Sequence, residues 1–388
     1  MKQKMVRCAD VLDVRDGTHD SPKYVLEGYP LITSKNIKEG NIEFDNVNYI
    51  SKDDFEKINL RSKVDNGDIL MPMIGTIGNP VVVNTDRAFA IKNVALFKFS
   101  ENSKFNNRYI YYALKSPLII HQLNSNKRGG TQSFVSLTNI RDLKIPNVDI
   151  STQNRIANVL DKAQELIDKR KEQIEACDEL IKSLFHHMFG DPIQNNKKLP
   201  KLQLKEIGDW KTGGTPVRSQ LEYYKGNIPW LSSGELNSIY TKDSIEHITE
   251  QAIAQSAAKL ISKRSLLLGM YDTAALKSTI NLVECTCNQA IAFAKLFDDK
   301  VSTVFVYFCI QIGKDFYKSQ QRGVRQKNLN LSMIKDIEII FPPLELQNEF
   351  AKKVEKIEQQ KQLLEQSLTE LENNFNSLMQ KAFKGELF

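Results

Sequence analysis

The feature that most constrains this chain is an internal duplication. The run RGGTQSFVSLTNIRDLKI at Arg128–Ile145 aligns without gaps with RGVRQKNLNLSMIKDIEI at Arg322–Ile339, at a constant offset of 194 residues in a chain of 388. Repetition on this scale predicts a repeated structural unit. We therefore expect two related domains rather than one core, which the length of the chain also favours.

Toward the start of each half the correspondence becomes looser. DGTHDSP at Asp16–Pro22 faces TGGTPVR at Thr212–Arg218, and YPLITS at Tyr29–Ser34 faces IPWLSS at Ile228–Ser233. Between these anchors the halves share little. Similar frames with different interiors are expected of two domains that present different recognition surfaces.

Two long stretches carry apolar residues at alternating spacings of four and three. Neither Pro nor Gly occurs between Ser151 and Phe189, and the second stretch repeats the pattern 194 residues later. Each seam contains one basic residue, Arg170 or Lys361. More than four heptads of this spacing predict coiled-coil helices. The predicted seam residues are Ile156, Leu160, Ile167, Ile174, Ile181, Leu184, Val354, Ile357, Leu364, Leu368, Leu371 and Leu378.

Chain order predicts that the two helices pack antiparallel, because the second leaves the second domain and must run back along the first. Each would be about 50 Å long at roughly 1.5 Å per residue. The predicted organisation is a domain at residues 1–150, a spacer helix at 151–190, a second domain at 191–344 and a second helix at 345–388.

The globular halves alternate short β-branched runs with turn residues. The segments Asp65–Val83 and Phe89–Phe99 are typical of strands with Gly and Asn turns, while Asn107–Lys115 and Val304–Ile312 are typical of short helices. The predicted fold class is α+β: two duplicated domains built on mixed sheets, separated by two long helices that form an antiparallel coiled coil.

Sequence motifs for catalysis and for metal binding are missing. No phosphate-binding loop, Asn-Pro-Pro-aromatic motif or glycine-rich nucleotide turn occurs, and GTIG at Gly75–Gly78 is typical of a hairpin turn. The pair Cys285 and Cys287 has no second cysteine pair to complete a metal site. We expect no catalytic residue and no bound metal.

Composition restricts the location and the ligand class only broadly. Five cysteines, an odd number, do not resemble a secreted disulfide framework, and no apolar stretch suits a signal peptide or a membrane span. We expect a cytoplasmic protein. A net charge of +6 and a pI of about 8.8 would assist approach to a polyanion without identifying one.

Five motifs frame the two halves of the chain: KTGGTPVR at Lys211–Arg218, GNIPWLSSGEL at Gly226–Leu236, FPPLELQNEF at Phe341–Phe350, DGTHDSP at Asp16–Pro22 and HHMFGDP at His186–Pro192. These motifs, together with the order of variable domain, long helix, variable domain and long helix, resemble the specificity subunits of type I restriction-modification systems. The first-half counterpart of FPPLELQ, IPNVDISTQ at Ile145–Gln153, departs from the pattern by lacking the second proline.

The resemblance implies a non-catalytic subunit whose two target-recognition domains each read half of a bipartite, asymmetric site in double-stranded DNA. The helices would set the gap, and a 50 Å coil corresponds to at most roughly 15 base pairs between half-site centres. Implied partners are two methyltransferase (modification) subunits and restriction/translocase subunits. S-adenosylmethionine, ATP and magnesium would bind to those partners, and no cofactor to this chain.

Candidate DNA-binding residues lie mainly in two matching loops, because base reading needs Arg, Lys, Asn or Gln, and phosphate binding needs Lys and Arg. The alternative interpretation of each loop is a solvated turn. The candidates are Lys35, Lys127, Arg128, Thr131, Gln132, Ser133, Arg218, Arg322, Arg325, Gln326, Lys327 and Asn328.

Two other classes of function stay open at this point. A nuclease or methyltransferase with a fused recognition module would transfer methyl groups or cut DNA without a partner. A coiled-coil adaptor that joins proteins would show no salt-dependent retention of DNA, whereas a DNA reader loses affinity as salt rises.

Substitution of one arginine in each loop tests the loop hypothesis. We expect Arg128→Ala and Arg325→Ala each to weaken recognition of a different half-site, because each removes a cation from only one domain. Binding assays on the native target measure the effect. Unchanged binding by both variants would remove these loops from the interface.

Overall fold

The computed structural model describes residues 4–38, 40–75, 77–100, 103–125, 133–271, 274–319 and 328–388. The chain forms two compact units. The first consists of Met1–Lys171 with Gln366–Phe388, and the second of Glu172–Glu365. Each unit therefore includes part of both long helices.

The first half of the chain contains short strands, short helices and one long helix. They are β1 (Met5–Arg7), α1 (Cys8–Val11), β2 (Asp13–Asp16), β3 (Tyr24–Val25), β4 (Tyr29–Ile32), β5 (Ile37–Lys38), β6 (Asn41–Ile42), β7 (Asn48–Ile50), α2 (Lys52–Ser62), β8 (Ile69–Pro72), β9 (Val81–Val82), β10 (Ala90–Ile91), β11 (Val94–Lys98), α3 (Asn107–Lys115), α4 (Pro117–Ser125), α5 (Leu137–Arg141), β12 (Lys144–Pro146) and α6 (Ile150–Phe189).

The second half repeats this plan. Its elements are β13 (Lys201–Gln203), β14 (Lys211–Thr212), β15 (Ile228–Leu231), β16 (Tyr240–Thr241), β17 (Glu246–Ile248), α7 (Glu250–Ala254), β18 (Leu266–Gly269), β19 (Ser278–Asn281), β20 (Thr286–Cys287), β21 (Ile291–Ala294), α8 (Thr303–Ile312), α9 (Lys314–Ser319), α10 (Leu331–Lys335), β22 (Glu338–Ile340) and α11 (Leu344–Lys384).

A central sheet of the same design lies in each unit, in the order β2-β11-β8-β9 in the first and β14-β21-β18-β19-β16 in the second. Successive side chains of a strand point to opposite faces. In β8, Ile69 and Met71 join the core beside the helices and Leu70 joins the core on the other face; in β18, Leu266 and Leu267 divide in the same way. Both sheets are thus buried on two faces.

A second sheet in each unit mixes parallel and antiparallel pairing. In the first unit β4 runs parallel to β10 and antiparallel to β7. In the second unit β15 runs parallel to β20 and antiparallel to β17. The predicted fold class, with duplicated mixed-sheet α+β domains and two long helices, is confirmed.

Helix segments pack antiparallel in the first unit. Arg155 of α6 lies over the ring of Phe388, 4.1 Å from its centroid, whereas Lys171, further along α6, pairs with the earlier residue Glu372 at 3.6 Å. Phe375 and other apolar residues of α11 join the same core as α3 and α6. The pair is therefore part of the hydrophobic core of this unit.

Helix segments also pack antiparallel in the second unit. Lys361 Nζ of α11 donates to Asp178 Oδ1 of α6 at 2.6 Å. Phe350, near the start of α11, contacts Phe185 and Phe189, near the end of α6, with ring centroids 5.5 and 5.4 Å apart. The basic seam residue Lys361 is thus accommodated by an ion pair.

All predicted seam residues are buried or half-buried, but the end of α6 uses a different face from the predicted one. Phe185 and Phe189 are fully buried there, while the predicted Leu184 is only half-buried. Phe185 and Phe189 pack against Phe305 of α8 as well as the partner helix. A straight helix drifts from a seven-residue repeat, so the buried face rotates toward the domain core.

Equivalent buried glutamines attach the start of each long helix to its domain. Gln153 Oε1 accepts from the Asn106 amide at 2.9 Å, and Gln347 Oε1 accepts from the Ser302 amide at 3.0 Å. The side-chain amide of Gln347 also donates to Pro342 O at 2.8 Å. The helix starts differ otherwise, yet the glutamine contact is the same.

No helix in the described ranges has the length and apolar character to cross a membrane.

The Gln347 contacts predict a measurable loss of stability. We expect Gln347→Ala to lower the free energy of unfolding by about 2 kcal/mol, because it leaves the part-buried Ser302 amide and the buried Pro342 oxygen without partners. Both tryptophans, Trp210 and Trp230, lie in the second unit, so their fluorescence during urea unfolding reports on it. Gln359→Ala, on the exposed face of α11, is the matched control. Equal stability of the two variants would contradict this role.

Candidate nucleic-acid interface

In the first unit, the ends of two parallel strands bring polar residues together. Strand β4 ends at Ile32 and β10 at Ile91, and the Lys92 amide donates to Ile32 O at 2.9 Å. The residues beyond these ends, including the exposed Lys35 and the half-buried Asn93, therefore lie at one edge of the sheet.

A glycine turn after β2 packs against this edge. The Gly17 amide donates to Val94 O at 2.9 Å and the Thr18 amide to Ile91 O at 3.0 Å. A Cβ atom at Gly17 would lie 2.2 Å from Ile91 O. Only glycine permits this approach.

His19, two residues after Gly17, lies at this edge of the sheet. His19 Nδ1 lies 2.7 Å from Asn93 Oδ1, and His19 Nε2 lies 2.9 Å from Asp16 Oδ2. Asp16, which is buried, also forms an ion pair with Arg61. Asn93 has a φ of +54°, a left-handed conformation that asparagine tolerates better than most residues.

Two further segments, Met73–Gly75 and Ser133–Val135, form backbone hydrogen bonds at the same edge of the sheet. The Met73 amide donates to Asn93 O at 3.3 Å, and the Val135 amide donates to Met73 O at 2.9 Å. The Gly75 amide donates to Ser133 O at 3.3 Å. We define the first junction by His19, Asn93, Met73 and Val135.

The second unit repeats the arrangement. Strand β15 ends at Leu231 and β20 at Cys287, and the Asn288 amide donates to Leu231 O at 3.0 Å. The Gly214 amide donates to Cys287 O at 2.9 Å, and a Cβ atom at Gly213 would lie 2.2 Å from that oxygen. Glycine is required here for the same reason as at the first junction.

Different side chains occupy this second junction, which we define by Thr215, Gln289, Met270 and Leu329. The Thr215 hydroxyl donates to Gln289 Oε1. This hydrogen bond is at the position equivalent to the contact between His19 and Asn93 in the first unit. The Met270 amide donates to Ala290 O at 2.9 Å, and the Leu329 amide to Met270 O at 2.8 Å. The backbone plan is shared while the polar side chains differ.

Arg218, three residues beyond Thr215, is held by two kinds of contact. Its guanidinium forms two hydrogen bonds with the Glu246 carboxylate, and lies 4.6 Å from the ring centroid of Tyr224 and 4.8 Å from that of Trp230. These hydrogen bonds raise the pKa of Arg218 and lower the pKa of Glu246. The carboxylate thus neutralises a cation beside the second junction.

Other cations lie near each junction. Lys92 Nζ donates to Ser21 Oγ at 2.6 Å in the first unit, and the exposed Lys259 donates to Thr212 O at 2.9 Å in the second. Each unit therefore has, near its glycine turn, a side-chain amide able to pair with a base edge and a cation able to contact a phosphate.

The cysteine pair of the second unit belongs to the core. Cys285 and Cys287 are both buried, and burial raises the pKa of Cys285 to about 12 and that of Cys287 well above the ordinary value. Within the described ranges, no three His, Cys, Asp or Glu side chains are grouped to hold a metal ion.

Four of the predicted DNA-binding residues are described. Lys35 is exposed beyond the end of β4, Ser133 contacts Gly75 at the first junction, Arg218 is paired with Glu246, and Asn328 forms a bridge with Tyr271 beside Leu329. The other candidates lie outside the described residues: Lys127, Arg128, Thr131, Gln132, Arg322, Arg325, Gln326 and Lys327. Their role in binding DNA stays a prediction.

Comparison with known proteins identifies the family. The family described as type I restriction modification DNA specificity domain matches residues 2–176 and again 196–373. The chain belongs to this family. The two matches agree with the duplication, so the protein is a type I specificity subunit with two recognition domains.

Curated relatives of this specificity subunit include one protein from Methanocaldococcus jannaschii and one from Escherichia coli. The putative type I restriction enzyme MjaX specificity subunit of Methanocaldococcus jannaschii is 23% identical over 97% of this chain and 92% of the relative. The EcoR124I/EcoR124II specificity subunit of Escherichia coli is 24% identical over 57% of this chain and 55% of the relative. Both names are those of specificity subunits, in agreement with the predicted non-catalytic class.

Solved structures show the same fold. The S subunit of a type I restriction-modification system from M. genitalium matches with a TM-score of 0.58 at 16% identity, over 99% of this chain and 96% of that chain. A chain from a study of complex assembly and conformational transition of the type I R-M system matches with a TM-score of 0.62 at 16% identity, over 100% and 98%.

Sequence reasoning missed the four side chains that meet at the junctions: His19, Asn93, Thr215 and Gln289. The available signal was the alignment of DGTHDSP with TGGTPVR, in which a polar residue follows each glycine turn. The partners Asn93 and Gln289 could not be found that way, because strand pairing brings them in from a distant part of the chain.

The pairing of Arg218 with Glu246 predicts an effect on DNA affinity. We expect Glu246→Gln to strengthen binding of the assembled complex to double-stranded DNA, and to steepen the salt dependence by up to about one ion, because it releases a cation beside the second junction. Titration at several salt concentrations measures both. Glu250→Gln removes an equal charge from an exposed helix position without releasing an arginine. Identical behaviour of the two variants would contradict the prediction.

Proposed function

We propose that this chain determines the DNA sequence recognised by a type I restriction-modification complex, with each unit reading one half of a bipartite, asymmetric site. The observation that carries the proposal is the repetition of one junction with different side chains. The first junction presents His19 and Asn93, whereas the second presents Thr215 and Gln289. Two junctions with the same backbone arrangement but different polar side chains suit two half-sites of different sequence.

The chemistry of the junctions supports DNA as the ligand. Asparagine and glutamine amides match the hydrogen-bonding edges of bases in the major groove, and lysines match phosphates. Lys92 contacts Ser21, two residues beyond His19, and Lys259 contacts Thr212, three residues before Thr215. A protein adaptor without DNA contacts would not need this combination in both units.

The family implies the partners of this chain. We propose that the chain docks two modification subunits and, through them, restriction subunits, and that S-adenosylmethionine, ATP and magnesium bind to those partners rather than to this chain. A related solved chain comes from work on assembly of a type I complex, which supports docking.

We also propose that the protein is cytoplasmic. All five cysteines are free and buried, which suits a reducing compartment.

The long helices supply a means to set the gap between half-sites. Helices α6 and α11 are continuous over Ile150–Phe189 and Leu344–Lys384, and their segments pack antiparallel in each unit. We propose that their length determines how many base pairs separate the two recognised sequences.

A longer coil therefore predicts a longer gap. We expect duplication of Glu172–Asp178 together with Leu364–Glu370 to lengthen the gap by about three base pairs, because one heptad adds about 10 Å at 1.5 Å per residue. Both duplications preserve the spacing of the seam. Methylation-sensitive sequencing of DNA from cells that express the chain with its modification subunit measures the gap.

The matched control duplicates only Glu172–Asp178, which leaves α11 one heptad short of its partner and is expected to abolish methylation. An unchanged gap in the double duplication would overturn the spacer role. Absence of any bipartite motif with the unaltered, correctly assembled complex would overturn the proposed function itself.

A further inference from the structure

We infer that Asn93 and Gln289 are specificity-determining residues, and that each reads one base pair of its own half-site. The inference deepens the proposed function and depends on it. His19 and Thr215 are positioning residues in this assignment, because they act through the amides that they contact.

The side-chain amide of Asn93 is oriented by a hydrogen bond at the first junction. Its Oδ1 contacts His19 Nδ1 at 2.7 Å, and its backbone oxygen accepts from the Met73 amide at 3.3 Å. Among the residues that the structure describes, Asn93 Nδ2 has no hydrogen-bond partner. One end of the amide is therefore oriented while the other is left for a ligand.

The Gln289 amide repeats this arrangement by different means. Its Oε1 accepts from the Thr215 hydroxyl, and Nε2 has no partner within the described part of the chain. The side chain is exposed, although the backbone around it is anchored to Leu231 and Met270 through its neighbours Asn288 and Ala290. A mobile glutamine would lose more rotamer freedom on binding than one held in this way.

An oriented primary amide suits a base better than a phosphate. It offers a donor, and its oxygen keeps a second lone pair, so it can pair with N7 and N6 of adenine at the same time. A phosphate offers acceptors only, and the lysines beside both junctions satisfy them more strongly. We therefore assign the amides to adenine edges and the lysines to the backbone of DNA.

The test removes each amide and reads the recognised sequence. Because Asn93 has a φ of +54°, the first variant is Asn93→Gly, which keeps that conformation without strain. The second is Gln289→Ala. Methylation-sensitive sequencing of the assembled complex, and binding to a set of single-base variants of the native target, compare both variants with the unaltered chain.

We expect Asn93→Gly to lower discrimination about tenfold or more at one position of one half-site, and Gln289→Ala to do so only in the other half-site. Each variant is thus the control for the other. Unchanged specificity, or an equal loss of affinity on every sequence, would overturn the inference. If the unaltered complex gave no bipartite motif, the proposed function would fail instead.

Variants of Thr215 separate positioning from folding. Thr215→Val keeps the shape but loses the hydroxyl, so it should relax the same position as Gln289→Ala, whereas Thr215→Ser should retain the specificity of the unaltered chain. Relaxation at that position by both variants, or by neither, would show that the hydroxyl does not orient Gln289.

Discussion

The packing of aromatic side chains between each domain and its helix segments is the interaction on which the rest depends. In the second unit Phe185, Phe189, Phe305 and Phe350 form one fully buried cluster. In the first unit Tyr109 and Tyr112 contact Phe383 and Phe375 of α11. Aromatic rings bury large apolar areas, so neither helix pair is separable from its domain core.

Because the helices are part of each core, the residues that attach them have to satisfy backbone groups inside it. Gln153 and Gln347 make the same contacts in the two units, although α6 begins after Asp149, whose carboxylate accepts from the Thr152 amide at 3.0 Å, and α11 begins after two prolines. The shared glutamine satisfies backbone groups that would otherwise be buried without partners. Both units thus use the same glutamine hydrogen bonds for this attachment, although the residues around the glutamine differ.

Elements whose signal is local could be predicted from the sequence, whereas sites built by distant segments could not. The seven-residue repeat predicted both long helices, and the helix predicted at Asn107–Lys115 is observed with those bounds. Phe185 and Phe189 were missed because their burial depends on α8, which no seam pattern contains. The pairing of His19 with Asn93 depends on the parallel alignment of β4 with β10, and that register leaves no periodic trace near either residue.

The two junctions combine one backbone framework with different polar side chains. The backbone contacts of Gly17 with Val94 and of Gly213 with Ile291 involve no side chain, so they persist whatever polar residue follows the turn. The amide partners extend from strand ends that are anchored by backbone bonds as well. A change of histidine to threonine, or of asparagine to glutamine, therefore alters the reach and the hydrogen-bonding pattern of the surface at little cost to the fold. The proposed reading of an asymmetric site depends on this separation of a shared backbone from differing side chains.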